Sequence, residues 1–223
     1  MMLADRAPFP HPPPAARAAL VALCATDPDL ARIEPAAGPL PWRVRPSGFP
    51  GLLQAIVGQQ ISNQAAAAIW GRLHALPGAL VAERMLVLPD EALRAAGLSR
   101  PKVAHARALA AAFVDGRLDA AALSAMDDEA AVAAIGAVRG MGRWTAEIYL
   151  LFALARADVF PAGDLAIAAA CAHLKALPAR PAPAALRGIA DAWRPHRALA
   201  ARLLWHHWRH ITGRPAMDDL KPP

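Results

Sequence analysis

The chain contains 223 residues, of which 56% are hydrophobic and 19% are charged. This composition supplies enough apolar surface for a buried core and excludes a globally disordered chain. The 24 lysines and arginines outnumber the 18 aspartates and glutamates, and the resulting net charge of +6 favours a polyanionic partner.

The chain starts with a proline-rich segment and continues with helical patterns. Residues 8–14 (PFPHPPP) are typical of polyproline and are expected to have no packing role. The segment 34–50 is dense in proline and glycine, and it is predicted to be a surface connection or a short extended piece. Elsewhere apolar residues recur with helical spacing and are bounded by capping residues and glycines.

Helices are predicted in chain order over about 15–25, 52–57, 62–73, 91–96, a stretch that begins at 100, 128–138, a stretch from the glycine turn at 139–142 to 155, 165–174, 183–193 and 195–212. The side chains predicted to cap helices are Ser62, Asp90, Ser99 and Asp164, while Asp127 and Asp128 are predicted to open the helix that runs to Val138. Period-2 alternation is essentially absent, and no linker is long enough to separate independent domains. The sequence therefore predicts an all-α protein.

Cysteine count and hydropathy exclude several classes of protein. Cys24 and Cys171 are the two cysteines, too few for a disulfide framework, a four-cysteine cluster or a four-cysteine zinc site. The longest charge-free stretch, 46–71, is interrupted by a polar cluster around Gln59 and Gln60, so it does not fit a membrane span. We therefore expect a soluble, cytoplasmic protein with no membrane partner.

The strongest local motif is VRGMGRWTAE, residues 138–147, between two apolar helices. Glycines at 140 and 142 allow a sharp turn and a close approach of the backbone to a ligand. The amides of this hairpin and of the next helix's first turn could bind one nucleic-acid phosphate, flanked by Arg139 and Arg143. The alternative is an ordinary tight turn between antiparallel helices.

The motif and three further blocks resemble the helix-hairpin-helix DNA glycosylase superfamily, in particular its alkylpurine (3-methyladenine DNA glycosylase II) branch. The four blocks, in the family's order, are FPGLLQAIVGQQISNQAAAAI, GLSRPKVAHARALA, VRGMGRWTAEIYLLFAL and DVFPAGDLAI. The resemblance implies two helical lobes with a cleft between them. It predicts a proline-rich lead over 1–14 and a single glycosylase domain over 15–223. Lobe A would span about 52–163, and lobe B about 15–50 plus 164–215.

The resemblance assigns the catalytic role to Asp164, 22 residues beyond Gly142. Cleavage of an N-glycosidic bond builds positive charge on the sugar, which a carboxylate stabilises electrostatically or by positioning water. An N-alkylated purine is already cationic, so it leaves without a general acid and one carboxylate suffices. The alternative role for Asp164 is a helix N-cap, and both roles are compatible.

Aromatic residues near these motifs are candidates for the base pocket. Trp144 occupies the position that holds a Schiff-base lysine in the lyase relatives resembling endonuclease III, so the resemblance implies a monofunctional enzyme. Its ring could also attract a cationic base, and core packing is the alternative. Trp205 resembles a second pocket residue, with core packing again the alternative. Ile148 replaces a pocket tyrosine of some relatives, and the neighbouring Tyr149 is a candidate substitute.

The elbow Gln59–Ser62 matches the family's wedge, which fills the gap that an extruded base leaves in the stack. Gln60 is the first candidate for the inserted side chain and Ile61 the second. The resemblance further implies a monovalent cation held by backbone carbonyls of the hairpin, and no other cofactor is expected. His206 and His210 are four residues apart on one helix and could bind a metal, but no third ligand stands at a recognisable spacing, so no metal site formed by side chains is expected. The candidate phosphate-binding residues are Arg139, Gly140, Gly142, Arg143, Thr145, Ser62, Ser99 and Lys102; for Lys102 a surface position without a role is the alternative.

These features together predict a monofunctional, monomeric DNA glycosylase, associated with the nucleoid. It would bind double-stranded DNA that contains alkylated bases, extrude a purine such as 3-methyladenine or 7-methylguanine, and hydrolyse its glycosidic bond. Two alternatives remain: a non-catalytic helix-hairpin-helix DNA-binding module, and an oxidised-base glycosylase with lyase activity.

Overall fold

The computed structural model describes residues 11–214, and all regular secondary structure in this part of the chain is helical. The α-helices are α1 (Pro14–Thr26), α2 (Pro28–Ala31), α3 (Ile33–Ala37), α4 (Phe49–Gly58), α5 (Asn63–Ala75), α6 (Ala82–Val87), α7 (Asp90–Ala95), α8 (Arg100–Val114), α9 (Ala120–Ala125), α10 (Asp128–Gly136), α11 (Arg143–Phe152), α12 (Leu165–Leu174), α13 (Pro183–Ala190) and α14 (Arg197–Thr212). The predicted all-α fold is confirmed.

The described residues form two compact units. One combines residues 11–44 with residues 155–214, and we call it the terminal unit. The other comprises residues 45–154, and we call it the central unit. The terminal unit carries Asp164, and the central unit carries the elbow and the hairpin.

The core of the terminal unit forms around α14, which packs on α12 and also contacts α1, α2 and α3. Asp27 fixes the start of α2, because its side chain accepts hydrogen bonds from the amides of Asp29 and Leu30. The same carboxylate accepts from the indole of the buried Trp193 at 2.7 Å and from the ammonium of Lys175 at 2.9 Å. Burial alone would raise the pKa of Asp27, but these donors outweigh it and hold the pKa below its usual value.

In the central unit, α4 packs against α5, α8 and α11, while α8 also packs against α6 and α7. Helix α4 is buried along most of its length, and the segment before it lies close against its first turn. A Cβ on Gly51 would lie 2.0 Å from the carbonyl oxygen of Pro46, so no larger residue fits there. This packing places the C-terminal end of α4, and with it the elbow, beside α8 and α11.

Most predicted helices agree with the structure, with four instructive differences. The segment 34–50 was predicted as a surface connection or a short extended piece, but α3 covers its start, and Leu40 and Arg43 are buried. Pro89, and not Asp90, occupies the N-cap of α7. The long segment 183–193 divides into α13 and a short 3-10 helix at Asp191–Trp193. Four short helices were not predicted: α2, α3, α6 and α9.

The proline-rich segment 8–14 lies only partly within the described residues. Its last residue, Pro14, is the first residue of α1, where a proline is favourable because its missing N–H would have no helical acceptor. Residues 8–10 lie outside the described part of the chain.

Candidate active site

Asp164 lies at the N-cap of α12, as predicted. Its Oδ1 accepts hydrogen bonds from the backbone amides of Ala166 at 2.9 Å and Ile167 at 3.0 Å. The side chain is half-buried, and the next residue, Leu165, is 69% exposed. The cap therefore fixes the orientation of a carboxylate at an accessible surface of the terminal unit.

Trp205 on α14 gives the same carboxylate a third donor. Its Nε1 lies 3.2 Å from Oδ1 of Asp164. From the sequence, Trp205 could be either a pocket residue or a core residue. The structure shows a half-buried ring whose N–H points at the candidate catalytic group.

The hairpin between α10 and α11 uses its two glycines differently. Gly140 has a φ of +86°, which favours glycine, and a Cβ there would lie 2.2 Å from Cγ of His105. Gly142, the N-cap of α11, has a φ of −103°, and no atom lies within 4 Å of where its Cβ would be. The fold thus requires glycine at 140, whereas at 142 a Cβ would point into open space.

The two hairpin arginines differ in their partners. Arg139 is exposed. Arg143 donates to Oε1 of Glu129 at 3.0 Å and to Oε1 of Glu147 at 3.4 Å. The hydrogen bond to Glu129 is the main reason that the pKa of Arg143 is raised above its usual value. A phosphate would therefore have to compete with two carboxylates for Arg143.

Two of the predicted phosphate ligands have hydrogen-bond partners within the central unit. Thr145 is only 2% exposed, and its Oγ1 accepts a hydrogen bond from Nε2 of Gln59 at 3.0 Å. Lys102 donates from Nζ to the carbonyl oxygen of Val57 at 2.7 Å, and burial lowers its pKa. Both polar groups therefore bind partners inside the central unit, and Thr145 is buried there while Lys102 is half-buried.

Two candidate pocket residues are core residues of the central unit. Tyr149 is 1% exposed, and its hydroxyl accepts a hydrogen bond from the amide of Gly48 at 2.8 Å. Ile148 is also buried. Neither side chain offers a surface to a base, because the hydrophobic face of α11 is directed into the unit's interior. Trp144, the second residue of α11, is half-buried.

The elbow between α4 and α5 exposes the two candidate wedge residues. Gln60 is exposed and has a φ of +56°, and Ile61 is 37% exposed. Ser62 caps α5 by accepting a hydrogen bond from the amide of Ala65 at 3.2 Å. Ser99 caps α8 in the same way, accepting from the amide of Lys102 at 3.4 Å. Both predicted caps are confirmed, and both serines are exposed.

The partners of several histidines could not be predicted from the sequence. His173 Nδ1 and His207 Nε2 lie 3.0 Å apart, between α12 and α14. His206, considered as half of a metal-binding pair with His210, instead contacts the carbonyl oxygen of Gly38 at 2.9 Å. Helical spacing alone could not have revealed either partner. Within residues 11–214, no three potential metal-binding side chains are grouped together.

No helix in residues 11–214 has the length and hydropathy needed to cross a bilayer.

A family model described as the HhH-GPD superfamily of base excision DNA repair proteins matches residues 53–195. The matched region contains the hairpin and Asp164. A curated relative, DNA-3-methyladenine glycosylase 1 of Schizosaccharomyces pombe, is 30% identical over 158 residues, which are 69% of this chain and 69% of the relative.

Solved structures resemble the chain over most of its length. The S. pombe 3-methyladenine DNA glycosylase Mag1, in complex with abasic DNA, superposes with a TM-score of 0.78 at 27% identity, covering 86% of this chain and 95% of that one. The DNA-3-methyladenine glycosidase of Bacillus halodurans gives a TM-score of 0.73 at 30% identity, covering 92% and 93%. The predicted resemblance is confirmed.

Proposed function

Because the chain belongs to the HhH-GPD superfamily of base excision DNA repair proteins, we propose that it is a DNA glycosylase that removes alkylated purines from duplex DNA. 3-Methyladenine is the first candidate substrate, since the similar proteins from S. pombe and B. halodurans are named for it. 7-Methylguanine is the second, because its purine is likewise cationic. The abasic DNA bound to the S. pombe protein is the product that such a reaction leaves.

The observation that carries the proposal is the oriented carboxylate of Asp164. Two amides and one indole N–H fix Oδ1, so the group needs little reorganisation to face a developing positive charge. Preorganised charge of this kind stabilises an oxocarbenium-like transition state better than mobile water does. A cationic purine departs without a proton donor, so a single carboxylate is sufficient for this substrate class.

We propose that the enzyme is monofunctional. A lyase step requires an amine that attacks the sugar to form a Schiff base. The position in α11 that holds this lysine in the lyase relatives is occupied by Trp144. An indole nitrogen cannot form a Schiff base, so the product would be an intact abasic site.

Several residues are proposed to hold the DNA. The hairpin would bind a phosphate through the first-turn amides of α11, beside the exposed Arg139. Gln60 or Ile61 would enter the stack where the base has left it. Trp144 and Trp205 would offer aromatic surface to the extruded base. We also propose that backbone carbonyls of the hairpin bind a monovalent cation.

The test is a base-release assay on methylated DNA, with chromatography of the freed bases. The wild-type protein should release methylated purines, and Asp164→Asn should reduce the rate about 10²-fold or more while DNA binding is retained. Asp119→Asn is the matched control, because Asp119 caps α9 in the same way that Asp164 caps α12. It should leave the release rate unchanged.

DNA binding without any base release by the wild-type protein would instead identify a non-catalytic binding module. Unchanged release by Asp164→Asn would show that another group performs the reaction.

A further inference from the structure

A side chain outside the proposed active site connects the elbow with the hairpin. The amide Nε2 of Gln59 lies 3.1 Å from the carbonyl oxygen of Gly140 and 3.0 Å from Oγ1 of Thr145. A carbonyl oxygen is only an acceptor, so the atom facing it must be the amide nitrogen. Both hydrogens of that nitrogen are then used, one on each side of the N-terminus of α11.

The backbone of the elbow is held in an uncommon conformation. Gln60 has a φ of +56°, a left-handed value that a residue with a side chain seldom adopts. Such a conformation persists only where neighbouring contacts maintain it. Gln59 supplies those contacts on one side, and the Ser62 cap of α5 supplies them on the other. Gln60 itself is exposed between these two fixed points.

Helix α8 supports the elbow and the hairpin together. Lys102 binds the carbonyl oxygen of Val57 in the last turn of α4, at 2.7 Å. Three residues later on the same helix, His105 lies against Gly140, filling the space that a Cβ there would occupy. Residues three apart share a helix face. One face of α8 therefore contacts both loops, and Gln59 connects them directly.

We propose that Gln59 is a positioning residue that fixes the elbow at a set distance from the phosphate-binding hairpin. When the hairpin binds a phosphate, Gln60 is then placed at the gap that the extruded base leaves in the stack. This inference rests on the proposed function. It predicts that loss of the connection impairs extrusion of the base more than the later bond cleavage. Extrusion costs most when the target base is paired and stacked, and least when it is mismatched.

The experiment compares base release from two duplexes that differ only in the base opposite the lesion, one pairing with it and one mismatched. Gln59→Met keeps the length of the side chain but has no N–H donors. It should lower the release rate about tenfold on the paired duplex, the effect of losing one or two hydrogen bonds, and less than twofold on the mismatched one. Gln64→Met, at an exposed glutamine of α5, is the matched control and should change neither rate.

A second variant protects the test against a general loss of folding. Thr145→Val removes one of the two acceptors while keeping the shape of the side chain. Its effect on the paired duplex should be smaller than that of Gln59→Met, and the two effects should not add in the double variant, because they remove the same contact. Thermal unfolding of each variant shows whether slower base release comes from a less stable fold or from a misplaced elbow.

Equal losses on both duplexes, or no loss on either, would overturn the role of Gln59. Additive effects of Gln59→Met and Thr145→Val would overturn it as well. Failure of the wild-type protein to release a base from either duplex would contradict the proposed function itself, and it is therefore distinguishable from failure of this inference.

Discussion

The indole N–H of Trp205 donates to the carboxylate of Asp164 across 41 residues of sequence, at 3.2 Å. The terminal unit contains a second pair of the same chemistry, in which Trp193 donates to Asp27 at 2.7 Å. Trp193 is fully buried, whereas Trp205 and Asp164 are half-buried. We propose that the Trp205–Asp164 pair orients a reactive carboxylate, whereas the Trp193–Asp27 pair lies in the core.

Trp205→Phe should therefore slow base release about tenfold, since it removes one hydrogen bond to a charged group but keeps an aromatic ring. The effect should appear in kcat more than in KM, because the role proposed for this carboxylate is to stabilise the transition state. Single-turnover and steady-state release of methylated purines measure both quantities.

Trp193→Phe is the matched control. It should lower the free energy of unfolding by about 1–3 kcal/mol, since it leaves a buried carboxylate with one donor fewer, and it should leave the release rate of the folded protein unchanged. Equal release by Trp205→Phe and wild type would show that the indole N–H does not assist Asp164.

The two hairpin glycines should respond differently to alanine. Gly140→Ala should lower the free energy of unfolding by about 3 kcal/mol, because it combines a positive φ with a contact of 2.2 Å to His105. Gly142→Ala should change it by less than about 0.5 kcal/mol, as expected for a surface site without steric conflict. Chemical denaturation measures both values.

For DNA binding, the variant expected to show an effect is Gly142→Ala. In the proposed phosphate site, a methyl group at this exposed N-cap position would crowd the bound phosphate, so Gly142→Ala should weaken binding to duplex DNA despite its normal stability. Unaltered binding by Gly142→Ala would mean that no phosphate approaches these amides closely.

Incubation with an abasic duplex and borohydride should give no covalent adduct. A Schiff base requires a free amine, and the chain has only three lysines. Lys102 binds a backbone carbonyl and Lys175 pairs with Asp27 and Asp29, while Lys221 lies outside the described residues. Denaturing electrophoresis detects an adduct, and its appearance would assign lyase activity to this chain.

The stability of the protein should fall as the pH drops below about 6.5. Burial lowers the pKa of His206 and His207 below the ordinary histidine value. Positive neighbours, among them His173 and Arg32, lower that of His207 further. The unfolded chain then binds more protons than the folded one, so the stabilisation is complete above about pH 6.5 and is lost toward the folded-state pKa values.

Denaturant unfolding between pH 7 and pH 5 measures this loss. His206→Gln keeps a donor for the carbonyl oxygen of Gly38 but cannot take up a proton, so it should flatten the pH dependence. His74→Gln, at an exposed histidine of α5, should not alter it. An unchanged slope in His206→Gln would assign the pH dependence to other groups.

Features that depend on neighbouring residues could be predicted from the sequence. The caps Ser62, Ser99 and Asp164 were confirmed because a capping side chain bonds an amide two or three residues ahead. Short helices such as α2 and α6 were missed, since isolated helices of 4 and 6 residues have little propensity signal and form by packing.

The roles of several candidate site residues could not be predicted, because their partners are far away in the sequence. Lys102, Thr145 and Tyr149 all occur in motifs that suggest ligand contact, yet each bonds a group of the central unit that is far away in sequence. Residue type and spacing describe what a side chain can bind. They do not describe which partner the fold brings to it.

The sequence by itself determined the all-helical architecture, the family and the position of Asp164 at the start of a helix, because periodicity, caps and glycine turns are local properties of the chain. Tertiary structure alone decided that Trp205 binds Asp164 and that Gln59 connects the elbow with the hairpin. These hydrogen bonds join residues 41 to 86 positions apart, and such pairs meet only when burial of the helices' apolar faces brings them together.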